Sequence, residues 1–188
     1  FIVALMAMFV SWRVFLFFSG YIFIIWFYSH KIKKHPFIGN LMAAILAVLP
    51  FFAILLYFYT RIPFEDIENY KIQLVVIFGH ATFLFLLLLI REMIKDLENL
   101  KGDLANDYKT IPIVYGQRIS KQIVTILTIL TIFPVYYLIE ISDVGFMDIY
   151  FYCCFIILIF FLVYLWKANS KAQFLLLHNV LKFLIVGG

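Results

Sequence analysis

Apolar runs separated by short charged clusters organise this chain. Residues 14–28, 41–59, 72–90, 122–139 and 149–166 contain no Asp, Glu, Lys or Arg. Residues 172–186 form a sixth, more polar run carrying Lys182. A membrane-spanning helix needs about 20 mostly apolar residues, and roughly 17 to 25 is the usual range. Six spans are therefore expected, the sixth completed by residues at its ends. Pro50 and Pro134 interrupt two of them, which membrane helices tolerate when neighbours re-satisfy the freed backbone groups. Residues 1–10 are also apolar but too short to span. The chain opens on Phe1, with no basic segment and no small-residue cleavage site ahead of a mature start. Residues 1–10 are therefore expected to be the tail of a helix, and the chain the C-terminal part of a longer protein.

Composition sharpens this picture. Of 188 residues, 65% are hydrophobic and 20% aromatic, where soluble domains sit nearer half apolar. A soluble core of this length cannot hide so much apolar surface, whereas a bilayer can. Cys153 and Cys154 are adjacent within an apolar run and have no other cysteine to pair with, so no disulfide framework follows. With no internal repeat, heptad array or long linker, residues 1–188 read as one all-α, polytopic transmembrane helical bundle.

Charge gives direction. If the spans alternate, eleven of the fifteen basic residues fall on one side: Lys31, Lys33, Lys34, Arg91, Lys95, Lys101, Lys109, Arg118, Lys121, Lys167 and Lys171. Lys and Arg concentrate on the cytoplasmic side, so the loop after the third run is expected to be cytoplasmic.

That loop carries the candidate chemistry. An α-helix turns roughly 100° per residue, so positions i, i+4, i+7 and i+11 share a stripe. Glu92, Asp96, Asn99 and Asp103 have this spacing within REMIKDLENLKGD. Arg91, Lys95 and Glu98 fall on the neighbouring stripe, where Lys95 can pair with Glu98; Gly102 is expected to loosen or end the helix near Asp103. Clustered carboxylate oxygens are what Mg²⁺ requires, and Mg²⁺ commonly bridges a few carboxylates to substrate phosphates. The same pattern also suits a solvated helix end. Lys109 and Arg118, in the segment that follows, can meet a diphosphate, and both also count as topological charges. Inside the spans, His80 and Thr82 are candidates for a cavity wall or an interhelical hydrogen bond. His178, Asn179 and Lys182 cluster in the last run, where packing or snorkelling is the expected role.

Two segments carry a resemblance. REMIKDLENLKGD followed by YKTIPIVYG resembles the second Asp-rich motif of the UbiA superfamily of intramembrane prenyltransferases. WFYSHKIKKHPFIGN, residues 26–40, resembles that family's L-Y-S-x-x-L-K-R-x-P-x-I-G-N segment. The order of spans is similar to helices four to nine of the family's nine-helix bundle, and the subgroup pattern is that of prenylglyceryl-phosphate prenyltransferases. There are departures. No Asp or Glu precedes Glu65, so the family's first Asp-rich motif is absent; Asn99 stands where the subgroup usually has Asp; and residues 105–108 lack the Gly often found before the Lys/Arg-Thr pair.

The resemblance implies Mg²⁺-dependent transfer of a prenyl group from an isoprenyl diphosphate to a hydrophobic lipid or aromatic acceptor within a membrane. It implies metal binding by Asp96 and Asp103, with Glu92 and Asn99 secondary and Glu98 a further candidate. It implies diphosphate contact by Lys33, Lys109 and Arg118, with Tyr28 and Asn40 near the cavity. No catalytic acid or base is identified, and nothing points to a nucleic-acid partner. Without the first motif the fragment is expected to be inactive. Two other readings compete. One is a non-catalytic bundle acting as partner or scaffold. The other is a small transporter, disfavoured because transporter ion sites usually lie near the bilayer midplane.

Overall fold

The computed structural model describes residues 12–59, 71–141 and 147–187. Residues 1–10, expected to be a helix tail, lie outside the described residues. All regular structure among the described residues is helical. In chain order the helices are α1 (Trp12–His30), a 3₁₀ turn (Ile32–Lys34), α2 (Ile38–Tyr59), α3 (Lys71–Glu98), α4 (Leu100–Ala105), α5 (Ile111–Val114), α6 (Gly116–Leu130), α7 (Ile132–Ile141), α8 (Met147–Lys167) and α9 (Lys171–Gly187). Among the described residues, four stretches are long and apolar enough to cross a membrane: Trp12–His30, Leu74–Glu98, Gly116–Glu140 and Met147–Lys167. The described apolar part of α2 is shorter, at Ile38–Ala53. α9 has 17 residues and carries His178, Asn179 and Lys182. The six expected runs all form helices, and the protein is an all-α integral membrane bundle.

α3 lies at the centre, packed against α2, α6, α7 and α9. Its 28 residues extend about 42 Å at 1.5 Å per residue, against a hydrocarbon core of about 30 Å. The apolar stretch up to Ile90 matches that thickness, so the charged end from Arg91 onward projects past it. Gly79 lets α7 approach closely: a Cβ there would sit 2.7 Å from Leu138 Cδ2. The core follows α3 toward its polar end, where Ile90, Met93 and Ile94 are fully buried.

The prolines act differently in their two helices. Pro50 stays inside α2, but proline has no N–H, so the carbonyl four residues earlier loses its helical partner. That carbonyl belongs to Leu46, and the Tyr21 hydroxyl of α1 donates to it at 3.1 Å. Pro134 instead coincides with a break. The run over residues 122–139 divides at Thr131 into α6 and α7, and the Thr131 hydroxyl donates to the Thr128 carbonyl at 2.6 Å.

Lys121, counted above among the topological charges, is buried in α6. Its ammonium donates to the Ala168 carbonyl at 2.6 Å and to Asn169 Oδ1 at 3.3 Å. It also lies 5.8 Å from the centre of the Phe174 ring. One cation thus staples the α8–α9 turn to α6, satisfying a carbonyl at the end of α8 that the helix itself cannot.

Candidate functional site

The two motif segments meet at the polar end of α3. Gly39 and Asn40 lie in the first turn of α2, which follows the 3₁₀ turn after residues 35–37. A Cβ on Gly39 would lie 3.0 Å from the Lys33 carbonyl oxygen, so any side chain there would push this turn outward by a few tenths of an ångström. Phe37, at φ 60°, supplies the sharp change of direction. The result places Asn40, a buried residue, against α3. Its Nδ2 donates to Asp96 Oδ2 at 2.8 Å, across 56 residues of sequence.

Around this pair stand several other residues singled out in the sequence. Tyr28, at the end of α1, is within electrostatic reach of Glu92 and Asp96. Asp103 interacts with Asp96, Lys95 and Lys33. Burial pushes the Asp103 carboxyl up from the ordinary carboxylate value, against the opposing pull of Thr110, Lys95 and Lys33. The Thr110 hydroxyl lies beside that carboxyl without forming a well-made hydrogen bond: Thr110 Oγ1 and Asp103 Oδ2 are both buried and unpartnered. An orphaned buried carboxylate oxygen is costly unless something else meets it.

Glu92 is occupied locally. Lys95 Nζ bonds Glu92 Oε2 at 2.6 Å, and Arg91 lies 3.7 Å from Oε1. The expected Lys95–Glu98 pair does not form, because Glu98 points to α9. There His178 Nδ1 donates to Glu98 Oε2 at 2.8 Å, with both side chains nearly buried, at 10% and 12% exposure. His178 is therefore more than packing or snorkelling: it links the last helix to α3. Helical spacing shows which residues share a stripe, but not a partner 80 positions away.

The single stripe is also divided. α3 ends at Glu98, Asn99 leaves helical geometry at φ −96° and ψ 16°, and α4 runs on to Ala105. Gly102 sits inside α4, and the helix ends close by, at Ala105, two residues past Asp103. Asn99 lines a separate cavity of about 310 Å³, with Glu98, Lys101, Gln117, Asn169 and Phe174 among its walls. Asp96 and Asp103 remain within electrostatic reach of each other, while Asn99 lines that other cavity.

After α4 the chain reverses through Asp107, at φ 54°. This left-handed position is where a glycine would be expected, and Asp is among the few other residues that tolerate it. The turn carries Tyr108 and Lys109 back over the loop between α1 and α2. Lys109 N–H donates to the Lys34 carbonyl at 3.2 Å, and Lys33 Nζ lies 5.5 Å from the Tyr108 ring centre. Lys109 and Arg118 are exposed, in the segments that follow the carboxylates. Among the described residues, the hydrogen bonds of His80 and Thr82 stay within α3: each bonds a carbonyl of its own helix, Val76 and Phe78, at 2.8 Å. His80 packs on Phe151, and Thr82 lines a cavity with Phe78, Gly79 and Tyr137.

Among the described residues, no three His, Cys, Asp or Glu side chains gather closely enough to hold a metal ion by themselves. Mg²⁺ asks for less: one or two carboxylates, with waters and substrate phosphates completing the shell. Asp96, fixed by Asn40, and the unpartnered Asp103 oxygen fit that requirement in donor type. The two aspartates thus offer hard oxygen donors beside Lys33 and Lys95, an arrangement suited to a metal-bound polyanion. Spacing alone located the carboxylates, but no local signal could reveal the Asn40–Asp96 bond.

Comparison with known proteins agrees with the motif geometry. Residues 1–180 match the UbiA prenyltransferase family. The chain is 31% identical over 162 residues to a digeranylgeranylglyceryl phosphate synthase of Methanosphaera stadtmanae, covering 85% of this chain and 53% of that protein. It is 34% identical over 130 residues to the protein of that name from Thermococcus sibiricus, covering 68% and 41%. For the one from Pyrococcus horikoshii the figures are 33% over 132 residues, 70% and 43%. The chain spans about half the length of these curated relatives or somewhat less. No solved structure matches the chain.

Proposed function

Because this chain belongs to the UbiA prenyltransferase family, we propose that it supplies half of the site of an intramembrane prenyltransferase. The reaction is transfer of a prenyl group from an isoprenyl diphosphate to a hydrophobic acceptor. The acceptor class is a prenylglyceryl phosphate, a reading supported by the names of the relatives. The observation that carries the proposal is the Asn40–Asp96 hydrogen bond. It joins the two motif segments and aims a fixed carboxylate at the polar end of the bundle.

In this reading Asp96 and Asp103 hold Mg²⁺, which when bound neutralises the diphosphate and stabilises it as a leaving group. Asn40 orients Asp96 by occupying Oδ2, which leaves the other oxygen for the metal. Lys95 and Arg91 hold Glu92 back as a second-line oxygen donor. Lys33 contacts the diphosphate oxygens, with Lys109 and Arg118 approaching from the exposed side. Charge developing on the diphosphate as the allylic C–O bond breaks is met by cations already in place, the form of stabilisation that matters most for a departing anion. Tyr28, within electrostatic reach of Glu92 and Asp96, would offer a ring to developing positive charge. The site faces the cytoplasm, as supported by the concentration of basic residues on that side.

The test uses the full-length protein in membranes, Mg²⁺, a labelled prenyl diphosphate and a prenylglyceryl phosphate. Asp96→Ala is expected to abolish product formation while leaving thermal unfolding of the purified protein cooperative. Unchanged turnover in that variant would remove the metal assignment. A wild-type protein that binds the prenyl diphosphate but forms no product with any acceptor would instead favour the non-catalytic reading.

A further inference from the structure

A lysine on a mobile stem is a poor anchor for a ligand unless something restricts it. Lys33 is exposed and sits in a three-residue 3₁₀ turn that has no side-chain cap. Its ammonium nevertheless rests over the Tyr108 ring, 5.5 Å from the centre, and interacts with Asp103. The backbone that carries the ring is held at two points. Tyr108 N–H donates to the Asp103 carbonyl at 3.0 Å, and the next residue, Lys109, donates to the Lys34 carbonyl at 3.2 Å. The left-handed Asp107 turns the chain so that both bonds form at once.

We infer that Tyr108 is a positioning residue: its ring holds the Lys33 ammonium beside Asp103, where a diphosphate is met, and the Lys34–Lys109 backbone bond keeps lysine and ring in register. This rests on the reading that the diphosphate binds beside Lys33 and Asp103. A ring suits the task better than a carboxylate. It attracts the cation through its quadrupole without neutralising it, so the full positive charge remains for the anion. The phenolic hydroxyl has no part in this, and phenylalanine should replace tyrosine without loss.

The experiment is a calorimetric titration of the full-length protein with inorganic diphosphate in excess Mg²⁺, paired with steady-state kinetics on the prenyl diphosphate. Tyr108→Leu and Tyr108→Met are expected to weaken diphosphate binding roughly two- to fivefold, the range of an exposed cation–π contact. They should raise KM for the prenyl diphosphate by a similar factor and leave kcat in place. Tyr108→Phe restores the wild-type value. Lys33→Gln weakens binding at least as much, and adding Tyr108→Leu to it brings no further loss, because the ring then has no cation to hold. Multiplying effects in the double variant overturn the inference, as does Tyr108→Leu without effect where Lys33→Gln weakens binding. If Lys33→Gln itself leaves the affinity unchanged, the diphosphate does not meet Lys33; the site reading then fails first and the role of Tyr108 falls with it.

Discussion

Tyr21 offers the sharpest test of how this bundle satisfies its backbone. Pro50 leaves the Leu46 carbonyl without its helical partner, and the Tyr21 hydroxyl takes that place at 3.1 Å. Tyr21→Phe removes one oxygen and little else. An unsatisfied buried acceptor costs about 1–3 kcal/mol in general; inside membranes, interhelical bonds average nearer ~0.6 and reach about 1.7 kcal/mol. The site is half-buried, so a loss of about 0.6–1.5 kcal/mol is expected. The background decides the cause. Pro50→Ala returns an N–H to α2 that can bond Leu46 directly. In that background Tyr21→Phe should cost roughly 0–0.3 kcal/mol, a coupling of at least about 0.5 kcal/mol across the cycle. The assay is reversible unfolding in mixed SDS micelles, followed by tryptophan fluorescence. Trp12 and Trp26 lie on α1 itself. Equal losses in both backgrounds would refute the account, since the hydroxyl would then matter for a reason other than the proline. The effect should be visible because α1 has little else buried: Val14 is its one buried side chain.

Other expectations follow from close contacts and from charge. Gly79→Ala should destabilise by about 1–3 kcal/mol through overpacking against Leu138, and Leu138→Ala should relieve much of that added cost in a double-variant melt. Asp107→Gly should stabilise by up to about 1 kcal/mol, because glycine occupies the left-handed region without penalty, whereas Asp107→Val should lower the melting temperature. Burial raises the Asp103 pKa, so the metal-free folded chain holds that proton more tightly than the unfolded one. The resulting stability is present below the unfolded carboxylate value and is lost as pH rises through the folded one. Asp103→Asn should flatten this part of the pH–melting curve measured in chelator.

The helices were legible because lipid imposes a length and an apolar composition on every span. What the sequence could not show was decided by contacts between distant segments. Lys95 had acidic neighbours at equal helical spacing in Glu92 and Glu98, and nothing local distinguishes them; His178 does so by claiming Glu98. Asn99 keeps its place in the i, i+7 pattern, but the chain breaks helical geometry at that residue and turns it toward another cavity. Pro50 and Pro134 look alike on paper. A tyrosine on a neighbouring helix serves the carbonyl freed by the first, and the helix divides three residues before the second. The site was half-readable for the same reason. Spacing grouped Glu92, Asp96, Asn99 and Asp103 as one stripe; the choice of Asp96 and Asp103 among them, like that of Asn40, rested on the resemblance, and the Asn40–Asp96 bond is tertiary.

The buried Lys121 also has a meaning in time. Its acceptor, the Ala168 carbonyl, lies 47 residues further along the chain, and at about 5–20 residues per second the ribosome needs roughly 2–10 s to supply it. Throughout that interval a nascent α6 carries a cation with no internal partner, and it cannot settle into its final surroundings. Docking of the last hairpin is therefore the event that completes α6. A chain interrupted before the α8–α9 turn would leave the Lys121 ammonium without its Ala168 and Asn169 acceptors on an otherwise finished helix.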